Sequence, residues 1–268
     1  MENSTRQFGL KRGQAEITVP HLDDTLTFVF PEKGPGDCDN VGKAIDDAKL
    51  ARPTFSQDIS LLHSIYCDTR IQGVQKLKKS SEAQHIKDYI MNDRRLWAFT
   101  RLCWTPQTKE YDKGVFVYES PEDIEVAPED LVKQLGSTEE NHVIYSDDRT
   151  IRFVPEEFVK LGECTSSQLR KSSYILALAT HKEQAENLAQ IAGEFNFAFY
   201  MSRSYMPGSY MPGSKNVGQP EQKRASLSGG WGGGGLVVDG CSDDDACGCA
   251  CGVLNNSEGV APKNSDNQ

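Results

Sequence analysis

The chain has little of what marks a membrane protein or a secreted protein. Its longest apolar run, 174–179, is far shorter than the about 20 residues needed to cross a bilayer. The first twenty residues contain no apolar stretch of the kind found in signal peptides. We therefore expect a soluble protein of the cytoplasm, where thiols stay reduced, with no membrane partner.

Several chemical motifs are also missing. No C-x-x-C, H-x-x-x-H or H-x-x-E-H spacing occurs, so the common zinc motifs are absent from the sequence. The glycines of 229–235 are followed by the strand-like Leu236-Val237-Val238, whereas a phosphate-binding loop leads into a helix. The net charge of −10 opposes binding to a phosphate backbone. We therefore expect neither a nucleotide loop nor a nucleic-acid partner.

What is present predicts an α+β fold, with mixed helices around an antiparallel or mixed sheet. The clearest local signal is Thr54 with Gln57, the pattern of a capping box at the start of a helix over 55–66. Residues 174–179 fit either a buried strand or a helix. The other predicted helices are 40–50 with Asn40 as N-cap, 81–91, 128–135 and 182–194. Strands are predicted at 15–19, 25–30, 96–104, 114–119, 150–154, 196–202, 225–228, 236–239 and 248–254.

Composition divides the chain into a central part and two polar ends. Residues 14–254 are predicted to form one globular domain, with a flexible N-terminus at 1–13 and a disordered tail at 255–268. Inside the domain, Tyr205-Met206-Pro207-Gly208-Ser209 repeats at once as Tyr210-Met211-Pro212-Gly213-Ser214. A single duplication is too short for a solenoid, so we expect a flexible loop at 203–223.

Two stretches resemble C-type-lectin-like domains and the related bacterial modules. Arg52-Pro53-Thr54 stands between two predicted helices, where such modules have Leu-Pro-Thr. Gly229-Gly230-Trp231-Gly232 and Cys249-Ala250-Cys251-Gly252-Val253 resemble their closing strand, loop and strand. The resemblance implies a fold that is C-type-lectin-like in part. The lectin-type disulfides and calcium-binding carboxylates are absent, and residues 81–200 have no counterpart.

A longer series of segments, spread over about residues 52–254, resembles a family of microbial proteins to which no activity is assigned. No reaction, cofactor or site residue follows from this resemblance. The segments include Pro53-Thr54, Leu96-Trp97-Ala98-Phe99-Thr100, Arg152-Phe153-Val154-Pro155, Tyr174–Ala179 and Gly252-Val253.

Aromatic residues in glycine-rich sequence are the candidates for binding. Trp231 lies between Gly229-Gly230 and the glycines 232–235, and Tyr205 and Tyr210 open the two repeated units. Trp231 can present its ring to a partner, or it can anchor the core beside a tight hairpin. With no catalytic constellation present, the sequence favours a non-catalytic binding or interaction module for a protein or a small ligand.

Four C-terminal cysteines are the candidates for metal binding. Cys247, Cys249 and Cys251 alternate, so a strand would place their thiols on one face, about 7 Å apart. That separation is too wide for one zinc ion unless the strand curls, in which case Cys241 can supply a fourth thiolate. The alternatives are a zinc or other soft-metal site, a disulfide or redox pair, and small buried residues that pack a strand. The last of these is favoured, and it requires no cofactor.

An enzyme is the alternative function. His63 and Cys67 share a face of the helix predicted at 55–66. A thiol nucleophile requires Cys67 or Cys103 within about 3–4 Å of His63 or His85, in a pocket. A satisfied histidine and an unreactive cysteine are the plainer interpretation. Arg152, Glu156, Glu157 and Glu163 flank the strand segment that ends at Pro155. Paired carboxylates there can act in acid–base chemistry, but a surface turn with ordinary charges is the favoured interpretation.

Overall fold

A computed structural model describes residues 15–67, 84–85, 87–88, 95–120, 124–194, 199–201, 219–229, 236–241 and 248–254. Within these ranges the chain folds as helices on a mixed sheet, which confirms the expected α+β class. No helix in these ranges is both long and apolar enough to cross a membrane. The predicted loop residues 203–218, the tail 255–268 and the N-terminal residues 1–13 lie outside the described part.

The described strands form two sheets. The first is the antiparallel hairpin of β1 (Ala15–His21) and β2 (Asp24–Phe30). The second has eleven strands in the order β6-β7-β8-β5-β4-β11-β12-β10-β9, with β13 beside β4 and β3 beside β13. Its strands are β3 (Lys33–Gly36), β4 (Arg95–Thr105), β5 (Gly114–Glu119), β6 (Leu135–Glu140), β7 (Val143–Ser146), β8 (Ile151–Pro155), β9 (Gly162–Cys164), β10 (Phe199–Met201), β11 (Glu221–Gly229), β12 (Leu236–Cys241) and β13 (Gly248–Ala250).

Helices pack on both faces of the large sheet. In the described ranges they are α1 (Cys38–Asp47), α2 (Phe55–Tyr66), α3 (Pro128–Gln134), α4 (Ser166–Leu169), α5 (Ser173–Ala179) and α6 (Lys182–Glu194). The largest apolar cluster joins one face of the sheet to α2, α5 and α6, and we call this the three-helix face. The opposite face packs on α1 and on α3 in two smaller clusters.

Strand β4 is the centre of the sheet, as its sequence predicts. All eleven of its residues are buried, and large side chains alternate between its two faces. Leu96 and Trp104 belong to the three-helix face, while Trp97 and Phe99 pack with α1 on the opposite face. A strand that is apolar on both faces has to lie inside the sheet, with helices above and below it.

Helix α2 begins as its capping box predicts, and it is more buried than an amphipathic helix. The Thr54 side chain accepts a hydrogen bond from the Gln57 backbone, and the Gln57 side chain bonds back to the Thr54 backbone. The apolar positions Ile59 and Leu62 are buried as expected. Polar residues on its other sides are buried too, namely Ser56, Asp58, Ser60 and Ser64.

Some predicted boundaries differ from the structure for identifiable reasons. Helix α1 starts two residues before Asn40, because Asp37 is the N-cap and accepts a hydrogen bond from the Asn40 backbone at 2.8 Å. Residues 174–179 are helical, with Ser172 as N-cap. Strand β11 begins at Glu221, inside the predicted loop 203–223, since its first residues are polar but paired with β4. Of the helix predicted at 81–91, only residues 84–85 and 87–88 are described, and these are helical.

Candidate functional site

The strands on either side of the candidate aromatic segments are paired within the large sheet. Strand β11 pairs with β4 on one side and with β12 on the other. Gly229 at its end is opposite Leu236 at the start of β12, so residues 230–235, which include Trp231, close an antiparallel hairpin. Trp231 itself lies outside the described residues. Its segment is therefore attached at both ends to a buried ladder.

The tyrosine segment enters the sheet at a different place. Tyr205 and Tyr210 lie outside the described residues, between β10 and β11. Strand β10 runs parallel to β12, with Met201 beside Val238. Strand β11 begins at Glu221, which pairs with Trp104 and lies at the opposite end from Gly229. The two aromatic segments are thus joined to opposite ends of β11, and their contributions to binding can be separated experimentally.

Polar side chains line the opposite face of the sheet next to this hairpin. Asp239 is 1% exposed, and its Oδ2 lies 3.9 Å from Arg95 Nη2 and 3.5 Å from the Cys241 thiol. The Cys241 sulfur also lies 3.2 Å from Ser226 Oγ. Burial raises the pKa of Asp239 to about 6, although Arg95 opposes the shift. The two strands that flank residues 230–235 in the sequence therefore carry a buried, hydrogen-bonded polar cluster.

Among the candidate metal ligands that the structure describes, Cys241 lies apart from Cys249 and Cys251. Cys249 and Cys251 lie on the three-helix face, as period-two alternation predicts, whereas Cys241 packs with Trp97 on the opposite face. Cys247 lies outside the described residues. No three histidine, cysteine or acidic side chains in the described ranges are grouped closely enough to hold a metal ion. The described geometry therefore gives the four-thiolate interpretation no support.

Cys249 and Cys251 are both buried in the core, 3% and 1% exposed. Burial raises the pKa of Cys251 well above its ordinary value, and the nearby Cys249 and Asp58 raise it further. Gly248 precedes them, and a Cβ atom there would lie only 2.0 Å from Trp97 Nε1. The strand thus comes so close to Trp97 that only glycine fits, while its cysteines fill the core as small apolar residues.

The two candidate histidines contact side chains other than the candidate cysteines. His63 Nε2 lies 2.9 Å from Gln190 Oε1, and His85 Nε2 lies 2.7 Å from Glu32 Oε1. Cys103 is buried on the opposite face of the sheet, in the cluster with α3, while α2 with His63 packs on the three-helix face. Burial raises the pKa of Cys103 to about 12. Cys103 and His63 therefore do not form a nucleophile and base.

The candidate carboxylates lie apart from Arg152. Glu156 is exposed and pairs with Lys113 at 2.6 Å, and Glu157 and Glu163 are exposed as well. Arg152 is instead 1% exposed, with Nη2 3.0 Å from Glu119 Oε1 and Nη1 donating to Thr180 Oγ1 at 2.7 Å. Sequence reasoning missed Glu119 because it ends a strand with no charge pattern to single it out.

A serine–histidine contact was also missed. His21 Nδ1 lies 2.8 Å from Ser60 Oγ, and Gln184 Nε2 donates to the same oxygen at 2.9 Å. Ser60 is 2% exposed and lies in the middle of α2, so no substrate can approach its hydroxyl. The residues are 39 and 124 positions apart, and no local pattern could have indicated the contact.

We expect three thiols, those of Cys103, Cys241 and half-buried Cys164, to be almost inert in the native protein. Burial raises the pKa of Cys103 and Cys241 to about 12 and that of Cys164 to about 11, and only the thiolate reacts. Labelling at pH 8, mapped by mass spectrometry, should be at least about 100-fold slower at these three positions than in unfolded protein. Half-buried Cys67 provides the internal comparison. Rapid labelling of Cys103 would contradict this expectation.

Comparisons with known proteins give one structural likeness. No protein-family model matches the chain, and no curated protein matches it. A solved structure described as "Accommodation of massive sequence variation in Nanoarchaeota by the C-type lectin fold" is similar, with 11% identity and a TM-score of 0.43. The match covers 84% of this chain and 97% of that one. The expected likeness to C-type-lectin-like modules stays a prediction. The resemblance to a family of microbial proteins stays a prediction.

Proposed function

We propose that this chain is a non-catalytic binding module whose partner contacts Trp231 in the segment 230–235. The observation that supports the proposal is the strand pairing on either side of that segment. Its two ends, Gly229 and Leu236, are opposite each other in a ladder that β4 supports from the other side. A short glycine-rich connection on a buried ladder is a common place for a binding residue, because the scaffold holds both ends of the segment in place.

The chemistry of tryptophan fits this role. An indole ring offers a large apolar surface and one N–H donor, so it can bind an apolar or aromatic group or a sugar ring. The residues next to Trp231 in the sequence are glycines, which have no side chains that could cover the ring. The net charge of −10 disfavours polyanionic partners. The proposed partner is thus a protein or a small ligand with an apolar or weakly polar surface.

Tyr205 and Tyr210 form a second proposed contact region. They are attached at the Glu221 end of β11, whereas Trp231 is attached at the Gly229 end. Nine residues of strand separate the two ends, a span of roughly 25–30 Å. A small ligand at Trp231 should therefore not need the tyrosines, while a protein partner can contact both regions.

The test is the loss of binding on replacing Trp231 by Ala. Fluorescently labelled protein is applied to arrays of immobilised glycans and peptides, and the affinity for each hit is then measured by calorimetry. An aromatic anchor that dominates an interface is worth 2 kcal/mol or more, so Trp231→Ala should bind at least about 30-fold more weakly. Its free energy of unfolding should stay within about 0.5 kcal/mol of the wild type, as for a surface substitution.

Removal of residues 205–209 provides the matched control. This deletion shortens the other aromatic segment by one repeated unit and leaves the second unit intact. It should preserve binding of a small ligand. The proposal fails if Trp231→Ala binds as well as the wild type. It also fails if Trp231→Ala loses about 3–5 kcal/mol of stability, because Trp231 would then be a core anchor.

A further inference from the structure

One serine hydroxyl joins three elements of the fold. Ser60 Oγ of α2 contacts Nδ1 of His21, the last residue of β1, at 2.8 Å. The same oxygen accepts a hydrogen bond from Gln184 Nε2 of α6 at 2.9 Å. Ser60 and Gln184 are 2% and 1% exposed. The contact therefore fastens the turn end of the β1–β2 hairpin to the two helices through buried polar atoms.

The direction of the hydrogen bond between Ser60 and His21 depends on the tautomer of His21. Ser60 has one hydroxyl proton, and its two candidate acceptors are His21 Nδ1 at 2.8 Å and the Ser56 carbonyl at 3.5 Å. Because the 3.5 Å contact is at the limit of a hydrogen bond, we place the Ser60 proton on the line to His21 Nδ1, which assigns the neutral tautomer of His21 with its proton on Nε2. If His21 Nδ1 gains a proton, His21 Nδ1 and Ser60 Oγ each point a hydrogen atom at the other. The Ser60 proton must then turn to the distant Ser56 carbonyl.

Burial and the neighbouring charged groups together lower the pKa of His21. Burial lowers the pKa of His21, and His181, just before α6, lowers it further. Asp24, across the turn of the hairpin, opposes the shift. On α2 and α6 the groups bonded to Ser60 are neutral, since they are the Ser56 carbonyl and the Gln184 amide. The surroundings as a whole favour the uncharged imidazole.

We propose that His21 makes the attachment of the β1–β2 hairpin to α2 and α6 sensitive to acid, because protonation of its imidazole weakens that attachment. A histidine with a lowered pKa stabilises the fold above its ordinary value of 6.5. That stabilisation is lost as the pH falls from 6.5 through the lower value of the folded protein. The opposite end of the hairpin stays tied, since Val29 donates to the Gly252 carbonyl at 2.9 Å and Leu254 donates to the Thr27 carbonyl at 2.9 Å. Loosening is thus confined to the end near His21.

Hydrogen exchange of the hairpin amides tests the proposal. Protection factors, corrected for intrinsic exchange at each pH, are measured between pH 7.5 and 4.5. Losing one buried hydrogen bond should reduce protection near Val19 and Leu26 by about fivefold or more at the acid end. His21→Asn keeps an acceptor near the Nδ1 position but cannot be protonated there, so its protection should not show this drop. His142→Asn makes the same change at the tip of the β6–β7 hairpin and should retain the wild-type drop.

A direct titration keeps the proposal testable if His21→Asn does not fold. The ring protons of His21, followed by NMR in the wild type, should titrate below 6.5. His181→Asn removes a neighbouring positive charge and should move the midpoint upward. A His21 midpoint at or above 6.5 would overturn the proposal. So would equal pH dependence of hairpin protection in the wild type and in His21→Asn.

Discussion

Replacing Arg152 by Met is expected to lower the free energy of unfolding by about 2–3 kcal/mol. The guanidinium is 1% exposed and lies between Glu119 of β5 and Thr180, the residue that follows α5. Methionine has a similar length and no charge, so it fills the space but leaves the Glu119 carboxylate without its cationic partner. The Glu119 side chain is 23% exposed, so water relieves part of this cost and the loss is smaller than for a fully buried pair.

The hydrogen bonds around Arg152 explain why its replacement should destabilise several elements of the fold. Thr100 Oγ1 donates to the Glu119 carboxylate at 3.0 Å and accepts a hydrogen bond from the Phe55 backbone at 2.9 Å. The start of α2, strands β4 and β5, and the end of α5 are therefore joined through one carboxylate. Thr180 has a φ of +66°, which is unfavourable for a β-branched residue, and its bond to Arg152 helps to hold it there.

Denaturant unfolding followed by circular dichroism measures this effect. Arg149→Met is the matched control, since Arg149 is three residues away and pairs with Glu140 at the surface. An exposed pair contributes at most about 1 kcal/mol, so this variant should change little. Adding Glu119→Gln to Arg152→Met should restore part of the loss, because the unpaired charge is gone. Equal effects of Arg149→Met and Arg152→Met would contradict the structural argument.

The elements that sequence predicted well have local causes. Helix α2 is announced by its capping box, and β4 by large apolar residues at consecutive positions. Helix α3 begins at Pro128, which suits the first helical turn. Each of these signals lies within a few residues of the element that it specifies, so a single sequence is sufficient to find it.

The elements that were missed depend on distant contacts. Strand β6 has four exposed residues and no alternation, and it is a strand because it pairs with β7. Strand β3 contains two glycines and a proline and is ordered by pairing with β13, more than 200 residues later. Strand β9 has three residues and pairs only with β10. Propensity and periodicity carry no information on such pairings.

The candidate site also combines features that local sequence predicts with features that depend on distant contacts. Period-two alternation placed Cys249 and Cys251 on one face, which the structure confirms, but it could not show that Cys241 lies across the sheet. The contact of His21 with Ser60 and the pair of Arg152 with Glu119 join residues that the sequence separates widely. Trp231 as the binding residue stays a proposal, supported by the ladder at both ends of its segment.

The second large effect should be a gain in stability on replacing Asp58 by Ala, of about 1–4 kcal/mol at pH 7.5. Asp58 lies in the first turn of α2 and is 0% exposed, and neither of its carboxylate oxygens has a hydrogen-bond partner among the described residues. A carboxylate in that position is costly whether it stays charged without a partner or takes up a proton. Alanine removes the polar group and also favours the helix.

The pH dependence separates charge from packing at this position. Burial raises the pKa of Asp58 well above its ordinary value of 3.8. The wild type should therefore lose stability as the pH rises from about 4 through the raised pKa of the folded protein, since the unfolded chain releases the proton first. Asp58→Asn keeps the shape but cannot ionise, so its stability should fall less over the same range.

Asp47→Ala, at an exposed position of α1, should change stability by no more than about 0.5 kcal/mol. If Asp58→Ala is instead destabilising by more than 1 kcal/mol, the carboxyl group must have a stabilising partner. A gain would show that the fold retains a destabilising acid in its interior. Residues kept at a cost to stability are the ones for which a functional reason should be sought. Asp58 lies near Cys251, and Cys251 is three residues before the last described position. That search would therefore begin where the closing segment of the chain meets α2.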